Sequence, residues 1–197
     1  MRTQIKNKRS QLTLEKLKEA FWQLYEKKDI DKVRIVEITN IAGYNRSIFY
    51  EYFKNVYDVL NAIEQEILIE TVEIAKLIRL YIMNRGITKR HLEDIVTFYH
   101  KYERFLRVIL LKEDNPRFKI RLKKLIAEAI TKDMKTNTAI LNENEQNFFL
   151  EFYISGLINA LIYWFKNAPT IKVEEFASIF KTLTNNSITS TLDKIIK

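Results

Sequence analysis

Only three glycines and two prolines interrupt 197 residues, and that scarcity limits the fold before any motif is read. A strand-rich chain needs many tight turns, which draw on Gly for positive φ and on Pro for a fixed φ. Here Lys, Ile, Leu, Glu and Asn dominate, and apolar residues recur at spacings of three and four without sustained alternation. The expected fold is therefore all-α, and the length admits one large or two small domains. No internal repeat or low-complexity segment is present.

Leu14, Leu17, Phe21, Leu24 and Tyr25 predict one helix over about 13–27, ended by the Asp-rich turn at 29–31. Ile35, Ile38, Ile41 and Ala42 predict a second helix that stops at Ala42, with Gly43 where a left-handed cap would sit. Asn45 suits an N-cap, Tyr44 and Phe49 occupy staple positions, and Phe49 pairs with Phe53 one turn on, so a third short helix begins at Arg46. From Tyr57 the spacing sustains a long fourth helix to about residue 84. Further helices are expected over 89–101, 102–111, 117–134, 145–167, 173–183 and 188–196, with Asn115 and Pro116 opening the third of these. The expected division is 1–55 and 56–197, with 56–83 as the connecting helix.

Two short helices joined by Gly43, Tyr44 and Asn45 have the length and turn chemistry of a helix-turn-helix, whose second helix enters the major groove of DNA. With Phe49 and Phe53 turned inward, Ser47, Ile48 and Glu51 fall on the outward face, and Arg46, Tyr50 and Tyr52 flank it. The face is thin enough for a groove and offers hydroxyls and a guanidinium to phosphates and base edges. Glu51 at its centre repels phosphate but can accept a hydrogen bond from cytosine N4; the alternative is that it only solvates the helix.

The stretch VRIVEITNIAGYNRSIFYEYFKNVYDVL, residues 33–60, resembles the signature of the TetR/AcrR family of transcriptional regulators, in which an Ala-Gly turn precedes a recognition helix ending in a Tyr-x-x-Phe pattern. Ala42 and Gly43 match the turn, and Tyr50 and Phe53 match the pattern. The likeness is specific near the N-terminus and architectural afterwards, although FYISGLINALIYWFKN at 152–167 resembles the penultimate long helix of several family branches. It implies a two-fold symmetric dimer, an all-helical C-terminal domain, and release from DNA or rearrangement on it when an effector binds. The family usually places a lysine at the start of the fourth helix for a phosphate contact. This chain has Val56 there, so the contact is absent or passes to Lys54.

The net charge of +8 favours an anionic partner. Arg2, Lys6, Lys8 and Arg9 precede any acidic residue and make a short basic arm, which adds Lys6, Lys8 and Arg9 to the DNA-contacting candidates; an ordinary polar chain end is the alternative. Residues 101–135 hold eleven Lys or Arg against five Asp or Glu. That surplus reads as a solvated face, with an anionic effector or the flanks of a DNA site as the sharper alternatives.

The absence of Cys removes disulfides, thiolate metal sites and cysteine nucleophiles together. His91 and His100, nine residues apart, fall on opposite sides of one continuous helix and cannot jointly hold a metal. With no phosphate-cradling glycine loop and no nucleophile elbow, no enzyme, metal or cofactor is expected. Residues 1–20 lack the apolar core of a signal peptide, and the uncharged run at 152–165 is shorter than the roughly 20 residues that span a bilayer. A cytoplasmic protein outside the membrane is the expectation.

Phe98, Tyr99, Tyr102, Phe105, Phe118 and Tyr153 are candidates to line an apolar effector cavity with hydroxyl handles, or to be ordinary core. The helix at 145–167 is apolar nearly all round, so one face packs on its own domain and the other needs cover from a second copy. Phe149, Phe152, Gly156, Ala160 and Trp164, with Phe176 and Phe180 on the next helix, form the expected homodimer interface; a helix enclosed by its own domain is the alternative. The leading function is a homodimeric repressor on a pseudo-palindromic double-stranded DNA operator, released by an effector that is small and apolar or aromatic. A helical carrier of hydrophobic small molecules and a regulator controlled by a protein partner are the competing functions. Salt separates DNA binding from apolar ligand binding, since only the former falls steeply with ionic strength.

Overall fold

The computed structural model describes residues 2–84, 89–113, 115–131, 143–167, 170–179 and 181–182, and among them every regular element is a helix. The chain divides into two compact units, Met1–Glu66 and Ile67–Lys197.

The N-terminal unit holds α1 (Arg2–Tyr25), a short 3-10 turn (Ile30–Lys32), α2 (Ile35–Ala42), α3 (Arg46–Tyr52) and the first turns of α4 (Val56–Asn84). α1 starts well before residue 13, where the apolar stripe begins. Its leading residues are mostly Lys, Arg and Gln, which have high helix propensity and need no apolar spacing to extend it. Leu17, Phe21, Trp22 and Tyr25 are fully enclosed, and they pack with Ile38, Phe49 and Val59 as the centre of the unit. Phe21 and Tyr25 stack at 5.5 Å and 19°.

Lys18 is buried in the same unit, 5 % exposed, with its Nζ 2.8 Å from Glu15 and 2.6 Å from Glu66. Burial alone would lower the Lys18 pKa; the hydrogen bonds its ammonium donates to the two carboxylates outweigh it and hold the group above its ordinary value. At the start of α2, Glu37 accepts from Lys28 Nζ at 2.7 Å and from the Arg34 backbone N–H at 3.0 Å, and these contacts hold its carboxyl below the usual range.

The C-terminal unit comprises the rest of α4, α5 (Lys89–Leu111), α6 (Pro116–Thr131), α7 (Glu143–Asn167) and a helical segment at 173–179. Sequence spacing predicts two helices at 89–101 and 102–111, but α5 is continuous. Tyr99, Tyr102, Leu106, Ile109 and Leu110 keep one buried stripe across the expected junction, and no Gly or Pro interrupts it. α6 opens at Pro116 and α7 ends at Asn167, as the cap and break signals indicate. The expected helix at 188–196 lies outside the described residues.

α5 packs on α6 and α7, and α6 on α7, around fully buried Ile109, Leu110 and Phe118. Arg107 joins α5 to the end of α7: it donates to the Phe165 carbonyl at 3.3 Å, pairs with Glu103 at 3.2 Å and lies 4.8 Å over the Phe165 ring. His100 sits 3.7 Å from Glu174 of the 173–179 segment. Among the described residues no helix is long and apolar enough to cross a membrane, and no group of three or more His, Cys, Asp or Glu could hold a metal ion.

Candidate functional site

The turn between α2 and α3 is built by three local devices. Gly43 takes φ 75°, ψ 32°, a left-handed conformation that strains any side-chain-bearing residue, and its N–H returns to α2 carbonyls. Asn45 then caps α3: its Oδ1 accepts from the Ile48 N–H at 3.0 Å and from the Ser47 hydroxyl at 2.7 Å. Between them, the Tyr44 N–H donates to the Thr39 carbonyl at 2.9 Å.

α3 is held from beneath by its aromatic residues. Phe49 is fully buried and Phe53 nearly so, with ring centroids 5.8 Å apart. Two tyrosine hydroxyls tie the turn and the helix back to α1: Thr13 Oγ1 lies 3.3 Å from the Tyr44 hydroxyl, and the Tyr52 hydroxyl donates to Ser10 Oγ at 3.1 Å. Lys16 of α1 sits 5.9 Å from the Tyr44 ring centroid.

The outer surface of α3 presents Arg46, Ser47, Tyr50 and Glu51, all exposed, with Tyr50 at 57 %. Ile48 and Tyr52 are half-buried, and Lys54 is exposed just beyond the helix. Ser47 has spent its proton on the cap and Tyr52 on Ser10, so each offers outward only acceptor capacity. Val56 is buried at the first position of α4, whose start is fixed by Asn55 Oδ1 accepting from the Asp58 N–H and Asp58 accepting from the Lys54 N–H. The backbone of residues 2–9 is continuous with α1 and Arg9 is exposed; the side chains of Lys6 and Lys8 lie outside the described residues.

Ser10 and Thr13 position the turn and α3 without any signal in the sequence. Their partners are 42 and 31 residues away, and no local spacing announces them.

A second concave feature lies within the C-terminal unit, an apolar cavity of about 170 Å³. Phe98 and Tyr99 of α5 line it together with Leu157, Leu161 and Trp164 of α7, and Phe176 and Ala177 contribute from the 173–179 segment. The other aromatic candidates fall elsewhere. Phe118 is fully buried in the core, the Tyr102 hydroxyl bonds with Glu70 and Lys101, and Phe105 and Tyr153 are half-buried away from the lining. Burial, with the Glu103 carboxylate beside it, pushes the Tyr99 hydroxyl up to about 12, so it stays neutral at physiological pH.

α7 settles which of its faces is open. Phe148 is 79 % exposed, Phe152 74 % and Tyr163 65 %, and Gly156 is exposed among them. Trp164, expected on that face, is instead 4 % exposed inside the protomer. It stacks on Phe176 at 4.4 Å and donates Nε1–H to the Ile171 carbonyl at 2.9 Å. Ala160 and Phe176 are half-buried, and the side chains of Phe149 and Phe180 lie outside the described residues. The basic stretch at 101–135 is divided between α5, where Lys101 pairs with Glu70 and Arg107 with Glu103, and α6, where Arg117 and Lys124 are exposed and Lys123 pairs with Glu151.

A family model described as a transcriptional regulator C-terminal region matches residues 88–186. No curated protein matches the chain significantly. Among solved structures, a TetR transcriptional regulator from Streptococcus agalactiae aligns with a TM-score of 0.60 at 18% identity, covering 92% of this chain and 98% of that one. The dihydroxyacetone kinase operon activator DhaS aligns at 0.57 and 15% identity, covering 90% and 96%. The TetR family repressor AlkX from Dietzia sp. aligns at 0.51 and 17% identity, covering 92% and 96%. At such identities the likeness is one of fold.

Proposed function

Because this chain belongs to the TetR family of transcriptional regulators, we propose that it is a homodimeric repressor that grips a pseudo-palindromic operator through α3 and leaves it when a small molecule enters the cavity beside Trp164. The observation that carries the DNA-binding part is the division of α3. Phe49 and Phe53 are buried while Arg46, Ser47, Tyr50 and Glu51 stand exposed on a helix with a capped start and a left-handed glycine before it. A helix held in this way enters a major groove without rearranging its own core. Pairing is supported by the exposed rings of Phe148, Phe152 and Tyr163 on α7, more apolar surface than a lone protomer comfortably leaves to water. A two-fold dimer would set two α3 helices roughly 34 to 36 Å apart on one face of DNA.

Selecting bound duplexes from a random DNA pool tests the reading, and recovery of no sequence preference sinks it. On the selected site, Arg46→Ala and Tyr50→Phe should each weaken binding about tenfold while leaving the melting temperature unchanged, since one phosphate or base contact is worth about 1 to 3 kcal/mol. Unaltered affinity in both would remove α3 from the interface.

Deleting residues 1–9 removes the first turns of α1 and with them Arg2, Lys6, Lys8 and Arg9. Affinity for all sequences should fall together and the dependence on salt concentration should flatten, while sequence preference persists. A truncated protein that keeps the full salt slope shows that these cations touch no phosphate.

A further inference from the structure

We infer that the cavity beside Trp164 takes an uncharged, hydrocarbon-like molecule of about single-ring size and has no place for an ionised or hydrogen-bonding group, an inference that rests on the effector-responsive reading above. The size follows from the volume. At about 170 Å³ the cavity is close to a dry apolar cavity of about 150 Å³ that is known to admit benzene.

The chemistry follows from where the polar atoms of its wall are spent. Among the described lining residues only Tyr99 and Trp164 carry a side-chain polar atom. The Tyr99 hydroxyl is engaged by Glu103 and Arg107, and Trp164 Nε1–H is given to the Ile171 carbonyl at 2.9 Å. A carboxylate or ammonium entering here would shed its hydration and meet Leu, Ile, Val, Ala and Phe side chains in return. Of the hydroxyl handles expected from sequence, Tyr102 and Tyr153 lie off the lining, and the Tyr99 hydroxyl has Glu103 and Arg107 beside it.

Shape narrows the class further. The Tyr99 and Trp164 ring centroids are 4.9 Å apart, and Trp164 lies on Phe176 at 10° between planes. These rings spend faces on one another, so an entering molecule meets a fixed wall with no slot between stacked rings, which suits a compact hydrocarbon filling the remaining volume.

The test is calorimetric titration of the full chain with toluene and propylbenzene, and with benzoate and benzylamine as their charged counterparts. The hydrocarbons should bind once per protomer and change the tryptophan emission, and the charged pair should bind at least about a hundredfold more weakly. Ala177→Leu fills the cavity and should weaken toluene binding about tenfold or more. Leu161→Ala enlarges it and should shift preference several-fold towards propylbenzene, so the inference stays exposed even if the first variant fails to fold. Benzoate or benzylamine binding as tightly as toluene overturns it, as does the absence of any toluene binding. Operator binding is measured on the same protein before toluene is added. Operator binding without toluene binding defeats the cavity inference alone, whereas toluene binding by a protein that holds no operator before the addition defeats the DNA-binding reading and leaves the cavity standing.

Discussion

Gly156→Leu is expected to leave the protomer folded and to abolish its pairing, turning a dimer into a monomer at micromolar concentration. Gly156 lies on the exposed face of α7, and a Cβ built on it meets nothing within 4 Å. Within the protomer the substitution is favourable, because leucine exceeds glycine in helix propensity by roughly 0.8 kcal/mol. Any loss must then come from the surface of the mate. Overpacking a close helix contact costs about 1 to 3 kcal/mol, and two-fold symmetry introduces the new side chain twice, so the expected penalty is about 2 to 6 kcal/mol per dimer. Operator affinity should fall with it, since each half-site alone binds weakly. Sedimentation of both proteins decides the matter: a wild-type monomer refutes the interface, and a dimeric, DNA-competent variant moves it to another face.

Phe49→Ala should have the largest effect on the N-terminal unit, with a loss of about 3 to 5 kcal/mol. The ring is fully buried and touches Tyr50 edge-on at 5.7 Å and Phe53 at 5.8 Å. A unit ending at Glu66 is small, and its whole stability is of the same order as that loss. Denaturation by urea should show the unit unfolding early, and operator binding should vanish with it. Arg46→Ala supplies the contrast, because it is expected to weaken binding and leave unfolding unchanged. An unshifted urea midpoint for Phe49→Ala would show that the ring does not hold α3 in place.

The turn before α3 was legible because its chemistry is local. Gly43 at φ 75° and the Asn45 cap act within a few residues of themselves, and sequence spacing reports such devices directly. The start of α1 was not legible, since Lys, Arg and Gln carry a helix without leaving an apolar periodic trace before residue 13. The division expected within α5 had no physical cause, and the buried stripe runs through it.

α7 shows the limit most sharply. A helix apolar on every side does not declare which side is covered, so Trp164 was expected outside and is inside, while Phe148 and Tyr163, not singled out from sequence, stand exposed. The cavity was partly legible. Phe98 and Tyr99 line it, but its aliphatic wall of Leu157, Leu161 and Ala177 looks like any other core in a sequence, because an empty volume is defined by how side chains meet.

One feature of α4 bears on how such proteins can be remade. Val56, Val59, Leu60 and Ile63 belong to the buried interior of the N-terminal unit, and the same helix continues past Glu66 into the other. The boundary at Glu66 therefore falls inside a helix, and α4 offers no loop there at which the N-terminal unit could be cut out and joined to a different C-terminal one. A splice at residue 55 would leave that unit's interior to be completed by foreign side chains, and even Lys18 would lose its Glu66 counter-charge. Recombination that preserves the unit must cross over inside a helix, beyond Glu66, where the two parents have to agree in helical phase as well as in sequence.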